Sequence, residues 1–303
     1  MSKATVFAPG SIGNVGPGFD VLGLAIDGIG DIVTVELTDG DARVDSVTGL
    51  DAELVPLDPT KNVAVVAATA WLRAARIDKR PIVSIQKGLP VSGGLGGSAA
   101  SSVGGAYGAA LAANAVHSPE EVMFAALEAE STVAGRHLDN IAPCTMGGLT
   151  LVRSLDPLDV VPVRVPPQWA LVLLTPKVRV QTKQARAILP ELWPRSSWVQ
   201  QMANTSSLVL AFTNEDGELL RRSLDDLYAE PLRANLIPNF REVKRAALHA
   251  GALGCSISGS GPTIFAITRE PDEICAAAMS AAMRDVPCQV RVAQIARKGA
   301  HRI

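Results

Sequence analysis

Residues 92–101 contain a cluster of glycines that could bind a phosphate group. The segment reads SGGLGGSAAS, with four glycines in its first six residues. Proteins bind phosphates without a lysine where several backbone N–H groups converge at a helix N-terminus, and glycines let the backbone approach the anion closely. A strand is predicted before the segment and a helix after it, which is the context that such a loop needs. The alternative is a tight turn with close packing and no chemistry.

Two other kinds of nucleotide loop fit the segment less well. A Walker loop needs the pattern GxxxxGK[ST], and the chain contains no Gly-Lys pair. The stretch Gly94–Ala99 matches the dinucleotide pattern GxGxxG/A, which also requires an acidic residue about 20 positions further on, at the end of a second strand. Glu120 and Glu121 lie near that distance but begin a predicted helix. An NAD(P)-linked oxidoreductase is therefore the less favoured alternative.

Two further glycine clusters lie towards the two ends of the chain. Residues 8–20 read APGSIGNVGPGFD, and residues 254–263 read GCSISGSGPT. Either cluster by itself is typical of a turn. Three clusters that each place Ser or Asn beside Gly predict that the three segments converge on one ligand.

These segments resemble the signatures of the GHMP kinase superfamily. SGGLGGSAAS is similar to its phosphate loop, usually written GLGSSAA, and SISGSGPTIFA is similar to its C-terminal glycine loop. Four segments resemble the branch of the superfamily that phosphorylates an amino acid: APGSIGNVGPGFDVLGLAI, GRHLDNIAPCTMGGLTLV, TKQARAILP and EPLRANLIPNF. The resemblance extends from Val6 to Ile303. One position departs from it: Gly97 stands where the family usually has Ser, which removes a possible hydrogen bond to a phosphate.

The resemblance implies an α+β fold and an ATP-dependent kinase. Residues 1–165 would form an N-terminal mixed α/β GHMP kinase domain with the ATP phosphate loop, and residues 166–303 a C-terminal ferredoxin-like α+β domain. ATP and substrate would lie between the two domains. The implied reaction is phosphorylation of the side-chain hydroxyl of L-homoserine to O-phospho-L-homoserine, on the way to threonine. A different hydroxyl acceptor within the superfamily stays open. Members of this branch are often homodimers.

ATP and Mg²⁺ are the ligands that the resemblance implies for the phosphate loop. Backbone amides of Gly93–Ser98 would hold the triphosphate, and Mg²⁺ would be held by Ser98 and Glu130. The alternative for Glu130 is a solvated helix glutamate. A nucleotide-binding module without catalysis is disfavoured by the joint presence of Ser98, Glu130 and Asp139. The residues predicted to bind the nucleotide are Pro90, Val91, Ser92, Gly93, Gly94, Leu95, Gly96, Gly97, Ser98, Ala99 and Ala100.

An acceptor pocket for an amino acid is implied by the same resemblance. A carboxylate is well matched by guanidinium forks, which Arg186 and Arg233 would supply, while Asp20 would bind the ammonium group. Asn14 and His137 match positions that line the pocket. The alternative for His137 is a hydrogen-bonded histidine in a buried turn.

Three residues are predicted to take part in catalysis: Asn140, Asp139 and Glu130. Asn140 would orient the acceptor hydroxyl, and Asp139 also matches a position that lines the pocket. The resemblance implies no agreed general base, and the hydroxyl proton could pass to the γ-phosphate instead.

Helices and strands must position these residues. Period-two alternation predicts a strand over 31–37, and a capping box at Ser118–Glu121 predicts a helix over 118–133. The helix predicted over 98–116 contains three glycines that each cost about 1 kcal/mol relative to Ala, so its backbone should pack closely against a neighbour. The other predicted elements are helices at 63–77, 182–189, 198–214, 239–250 and 271–284, and strands at 81–86, 148–153, 169–175, 263–268 and 288–294.

Composition argues against several other classes of protein. The net charge is −2, from 28 Lys and Arg against 30 Asp and Glu, and aromatic residues make up 4%, so no nucleic-acid partner is predicted. No apolar run has the length of a membrane span, and the four cysteines form no CxxC pair. We therefore predict no membrane partner, a cytoplasmic location and four buried thiols. Lys87, beside the loop, is predicted to lie in solvent, with a phosphate contact as the alternative.

Overall fold

The computed structural model describes residues 3–133 and 135–303, whose strands form two sheets. The strands are β1 Lys3–Gly13, β2 Leu22–Thr38, β3 Arg43–Gly49, β4 Arg80–Lys87, β5 Leu149–Leu155, β6 Leu158–Val163, β7 Ala170–Pro176, β8 Gly254–Ile257, β9 Ile264–Thr268, β10 Cys288–Gln294 and β11 His301–Arg302. The helices are α1 Val63–Ala74, α2 Gly97–Ala112, α3 Pro119–Glu130, α4 Ile141–Met146, α5 Thr182–Ala187, α6 Arg195–Asn214, α7 Gly217–Ser223, α8 Glu230–Arg233, α9 Phe240–His249 and α10 Glu273–Met283. Two 3₁₀ turns lie at Ala52–Leu54 and Ala234–Leu236.

The first sheet has seven strands and the second has four. The first runs in the order β11-β1-β2-β4-β3, and β5 pairs with the start of β2 and with β6. Only β3 and β4 pair in parallel among its ladders on the described residues. The second sheet is antiparallel, in the order β10-β7-β9-β8. The predicted domain division at 165 and 166 falls between β6 and β7, and β11 returns to the first sheet; the division stays a prediction.

Helix α2 packs its backbone directly against its neighbours, as its glycines predict. A Cβ atom at Gly104 would lie 2.6 Å from Val33 Cγ2, and one at Gly108 would lie 2.6 Å from Val35 Cγ2. A Cβ atom at Gly105 would collide with the carbonyl of Ala64 on α1. The helix therefore lies closer to β2 and α1 than any larger residue permits, and this contact fixes where its N-terminus points.

Helix α3 begins at the predicted capping box. The Ser118 side chain accepts from the Glu121 amide at 3.2 Å, and the Glu121 side chain accepts from the Ser118 amide at 3.0 Å. The helix packs against α1 and α2 and ends at Glu130. Because α2 and α3 are neighbours, the last residue of α3 lies next to the first turn of α2.

The other predicted elements are present, and most of their ends differ by a few residues, although β2 begins at Leu22, nine residues before the predicted start at 31. Several observed elements were not predicted. These are β1, β3, β6, β8, β11, α4, α7 and α8. Cys144, Cys255 and Cys275 are buried as predicted, whereas Cys288 on an edge strand is half-buried. Among the described residues, no helix combines the length and the apolar character that crossing a membrane requires.

Candidate active site

The glycine loop ends in an uncapped helix N-terminus. Gly94 and Gly96 have φ angles of 79° and 66°, in the left-handed region where residues with a Cβ atom are strained. No side chain in the described part of the protein caps helix α2, and the first hydrogen bond of this helix is donated by the Ala100 amide to Gly96 O at 2.9 Å. The N–H groups of the first turn are therefore available to an anion, and the helix dipole favours negative charge there.

The other two glycine clusters hold this loop from both sides. From the C-terminal cluster, Ser258 Oγ donates to Gly94 O at 2.5 Å and Thr263 Oγ1 donates to Gly93 O at 2.6 Å. From the N-terminal cluster, the Ser11 amide donates to Leu95 O at 3.0 Å. The three clusters therefore converge in space, which fixes the loop conformation before any ligand binds.

A cavity of about 430 Å³ opens in front of the loop. Its walls include most of the residues predicted for the nucleotide and the acceptor, although Leu95 and Ala100 are buried in the core and do not line it. The predicted residues that line it are Asn14, Asp20, Pro90, Val91, Ser92, Gly93, Gly94, Gly96, Gly97, Ser98, Ala99, Glu130, His137, Asp139, Asn140, Arg186 and Arg233. The fold thus brings residues from all six of the segments that carried the resemblance to one cavity.

Ser98 and Glu130 form an oxygen pair at the helix N-terminus. Ser98 Oγ donates to Glu130 Oε2 at 2.9 Å, and Glu130 Oε1 is buried without a hydrogen-bond partner among the described residues. Burial raises the pKa of Glu130 to about 7, against the opposing effects of the Ser98 hydrogen bond and Lys87. A buried carboxylate oxygen without a partner, beside a hydroxyl, fits Mg²⁺, which takes oxygen ligands and commonly uses one or two carboxylates together with substrate phosphates.

Lys87 does not lie in solvent, contrary to the prediction. Its side chain is 3% exposed and forms an ion pair with the fully buried Asp31 on β2. Its Nζ also donates to Gly97 O at 3.0 Å and to Ser101 Oγ at 3.1 Å. The prediction failed because the partner lies 56 residues away in sequence, on a strand where nothing marks Asp31 as the counter-charge.

Asp139 is buried and lines the acceptor side of the cavity. Its Oδ2 accepts from the Asn14 amide at 3.0 Å, and its Oδ1 has no partner among the described residues. Burial, and then the neighbouring charge of Asp20, raise the pKa of Asp139 to about 7. Asn14 in turn accepts from the Asp20 amide at 3.0 Å and donates to Gly259 O at 3.1 Å. Asn14 therefore joins Asp139, Asp20 and the C-terminal glycine cluster.

Asn140 lies between the glycine loop and Asp139. Its Oδ1 accepts from Ser11 Oγ at 3.0 Å, and a Cβ atom at Gly96 would lie 2.9 Å from the same oxygen. Since Ser11 holds the oxygen, the NH₂ group of Asn140 is the end left to bind a ligand atom. The residue thus stands where a phosphate on the loop and an acceptor in the pocket would meet.

The two arginines flank the ring of Phe19 on the acceptor side. Arg186 forms a bidentate ion pair with Asp20, at 2.9 and 2.8 Å. Arg233 is buried and donates to Ala185 O at 3.1 Å and to Gly259 O at 2.9 Å. The guanidinium carbons lie 5.3 Å (Arg186) and 5.5 Å (Arg233) from the ring centroid. The pocket therefore offers both signs of charge, as binding an amino acid requires, but Arg186 and Asp20 are paired with each other.

His137 lines the same pocket and is half-buried. Burial lowers the pKa of His137, and the nearby carboxylate of Asp20 opposes that shift. The ring is therefore favoured in its neutral form at neutral pH, in which it has one donor and one acceptor nitrogen.

The far wall of the cavity was not predicted from the sequence. This wall comprises Leu54, Val55, Pro56, Asn62, Val63 and Ile85. It is mostly apolar, and Asn62 caps α1 by accepting from the Ala64 amide at 3.1 Å. Gln181, Thr182 and Lys183 also line the cavity. Thr182 and Lys183 lie in the segment TKQARAILP but were not predicted as site residues. No motif marks the residues of the apolar wall, because such side chains acquire a role only through the tertiary fold.

A two-sheet fold with this loop at the head of a small-residue helix defines a GHMP kinase. The families described as "GHMP kinases N terminal domain" and "GHMP kinases C terminal" match residues 62–148 and 208–285. A homoserine kinase from Chloroherpeton thalassium is 42% identical over 284 residues, covering 88% of each chain, and one from Pyrococcus abyssi is 42% identical over 266 residues, covering 88% of this chain and 87% of the relative. The crystal structure of homoserine kinase from Cytophaga hutchinsonii has a TM-score of 0.95 at 39% identity, covering 100% of this chain and 98% of that one. The chain therefore belongs to the homoserine kinase family, and the predicted resemblance and α+β fold class are confirmed.

Proposed function

We propose that this enzyme transfers the γ-phosphate of ATP to the side-chain hydroxyl of L-homoserine, giving O-phospho-L-homoserine in threonine biosynthesis. The relatives named above are homoserine kinases that match nearly the whole chain. The observation that carries the proposal for this chain is that one cavity joins the amides of an uncapped helix N-terminus to a pocket with both a carboxylate and guanidinium groups.

The geometry suggests how each group contributes to phosphoryl transfer, a reaction that depends mainly on positioning and charge stabilisation. The amides of Gly93–Ser98 bind the triphosphate. Ser98 and Glu130 would hold Mg²⁺, which supplies positive charge to neutralise the phosphate oxygens. Gly97 provides only its amide, because it lacks the hydroxyl that the family usually has there.

The acceptor is bound through its charged groups. Arg186 and Arg233 bind the carboxylate of homoserine, and Asp20 binds its ammonium group. Because Arg186 and Asp20 are paired with each other, the substrate must exchange their mutual contacts for its own. Asn14 and His137 line the pocket around it.

Two residues act at the reacting hydroxyl. Asn140 orients the hydroxyl towards the phosphate through its NH₂ group, since Ser11 already occupies its oxygen. Asp139 is the buried carboxyl next to Asn140, and its Oδ1, which lacks a partner among the described residues, can hold a proton near neutral pH because the pKa of this carboxyl is about 7.

A substrate panel tests the proposal. ADP release is measured with ATP, Mg²⁺ and, in turn, L-homoserine, L-serine, L-threonine, mevalonate and shikimate. We expect the largest kcat/KM with L-homoserine. A larger value with mevalonate or shikimate would move the enzyme to another GHMP activity. NADH fluorescence is measured in parallel, because enhancement by NADH without ATP binding would favour the oxidoreductase alternative.

We also propose Mg²⁺ as the cation, a homodimer and a cytoplasmic location, all of which rest on the resemblance. Activity after EDTA treatment and re-addition of Mg²⁺ checks the cation. Sedimentation velocity checks the oligomeric state, for which a mass near 31.6 kDa would indicate a monomer.

A further inference from the structure

The ion pair of Lys87 and Asp31 lies directly beside the first turn of α2. Lysine is almost never fully buried unless it is paired, and here all three ammonium hydrogens have acceptors: Asp31, Gly97 O and Ser101 Oγ. Asp31 also accepts from Ser101 Oγ at 2.7 Å and from the amides of Gly88 at 3.1 Å and Leu89 at 3.3 Å. The pair therefore joins β2, the end of β4, the start of the glycine loop and the first turn of α2.

Stability alone is a weak reason for such a pair. Replacing a buried ion pair by well-packed apolar residues is often neutral or stabilising, because two charges lose their hydration. Lys87 lines the cavity, whereas Asp31 does not and is fully buried. The pair is thus a dipole whose positive end faces the cavity, next to a phosphate loop that contains no lysine.

The contact with Gly97 O acts on the donor that faces the phosphate. The carbonyl of Gly97 and the N–H of Ser98 belong to one planar trans peptide, so they point in opposite directions. When the ammonium holds the carbonyl, the N–H is aimed away from it, towards the N-terminal end of the helix. The Ser98 N–H belongs to the first turn and has no partner within the helix. A charge-assisted bond on the carbonyl also polarises the peptide and strengthens its N–H as a donor.

We propose that Lys87 is a positioning residue for the triphosphate, held in place by Asp31 and Ser101, which aims the Ser98 N–H at the phosphates and supplies from beside the helix the positive charge that the loop lacks. Asp31 has a second role, because its Oδ1 fixes the two amides through which the chain enters the loop. This inference rests on the proposed function, since it assumes that the cavity binds ATP.

The proposal predicts a loss that grows with the number of phosphates. The interaction involves phosphate charge and one amide donor. Its loss should therefore weaken the binding of ATP most, that of ADP less and that of adenosine hardly at all. A merely structural pair would instead weaken all three ligands equally, because its loss would disturb the whole cavity.

The test uses two variants and one control. Lys87→Met removes the ammonium but leaves Asp31 unpaired. The double variant Asp31→Asn/Lys87→Met leaves no buried charge and keeps a side-chain oxygen for the Gly88 and Leu89 amides. The control is Lys79→Met, which breaks the exposed pair between Lys79 and Asp39 on the surface. Dissociation constants for ATP, ADP and adenosine are measured by calorimetry, and folding is checked by circular dichroism.

In both variants we expect the dissociation constant of ATP to rise roughly tenfold or more, that of ADP to rise less, and that of adenosine to rise less than about twofold. The three dissociation constants should be unchanged in the control. If Lys87→Met does not fold, the double variant decides. Equal losses for all three ligands, no loss in a folded variant, or failure of both variants to fold would each overturn the inference. If the unaltered enzyme does not bind ATP, the proposed function fails as well. If it binds ATP but the variants do not weaken ATP more than ADP and ADP more than adenosine, only the inference about Lys87 fails.

Discussion

Replacing Gly94 by alanine tests whether the contact between the glycine clusters matters beyond the backbone strain that any alanine at a positive φ angle causes. Gly94 has a φ angle of 79°, and an added Cβ atom would lie 2.7 Å from both Ser258 O and Gly261 O. Those carbonyls belong to backbone that cannot rotate away, so the loop and the C-terminal cluster must separate by about 0.7 Å to reach ordinary contact at 3.4 Å. Gly28 is the matched control, because it has a φ angle of 73° and, among the described residues, no atom within 4 Å of an added Cβ.

Both substitutions should lose about 1–2 kcal/mol of stability from the left-handed backbone. Gly94→Ala should lose about 1–3 kcal/mol more from overpacking. A displacement near 1 Å in a catalytic site can cost about 100-fold in rate, so Gly94→Ala should lower kcat/KM by up to roughly that factor, whereas Gly28→Ala should stay within about twofold. Urea unfolding gives the free energies, and ADP release with L-homoserine gives the rates. If the two variants have the same stability and the same activity, the described contact between the clusters does not hold the loop.

Three further predictions concern the acceptor side. Asn140→Ala should lower kcat roughly 100-fold, because the acceptor hydroxyl loses its partner. The dissociation constant of ATP should change little, because the Ser11 amide still donates to Leu95 O although Ser11 Oγ loses its side-chain acceptor on Asn140; full turnover would refute this role. Arg186→Lys keeps the charge but loses the fork, so the KM for L-homoserine should rise roughly tenfold, while Arg222→Lys on the surface should leave it unchanged; equal KM values would contradict the assignment. Burial raises the pKa of Asp139 to about 7. Between about pH 4 and pH 7 the folded protein therefore holds a proton on Asp139 that the unfolded chain has released. The free energy of unfolding in EDTA should fall with rising pH across that window and level off above it. Asp139→Asn should remove about 2–4 kcal/mol of that fall, as measured by urea unfolding at pH 5 and pH 8, and an unchanged pH dependence would show that Asp139 does not titrate as described.

Features that depend on neighbouring residues could be predicted from the sequence. The capping box at Ser118 gave the start of α3, and the glycines of α2 gave its close packing against β2 and α1. Both are decided within a few residues, by hydrogen bonding to nearby amides or by the absence of a side chain. The convergence of the three glycine clusters was also predicted, because their composition is unusual at three separate places in the chain.

Other features could not be predicted because they depend on distant partners. The sequence around Lys87 suggests a solvated lysine, because nothing near it indicates the ion pair with Asp31. In the same way, nothing near Arg186 indicates that its guanidinium group is paired with Asp20. The segment before Ile141 looks irregular, yet it leads into α4, which holds Asn140 against Ser11. The apolar wall at Leu54–Pro56 carries no signal, since its contacts arise only when the sheet and α1 are assembled.

The most direct test of the account is a crystal structure of the protein with a non-hydrolysable ATP analogue, Mg²⁺ and L-homoserine. We expect the triphosphate to lie against the amides of Gly93–Ser98, with the terminal phosphorus about 3–3.5 Å from the homoserine hydroxyl. We also expect Asn140 to contact that hydroxyl. A triphosphate bound away from the N-terminus of α2, or a homoserine whose hydroxyl points away from the phosphate, would contradict the account.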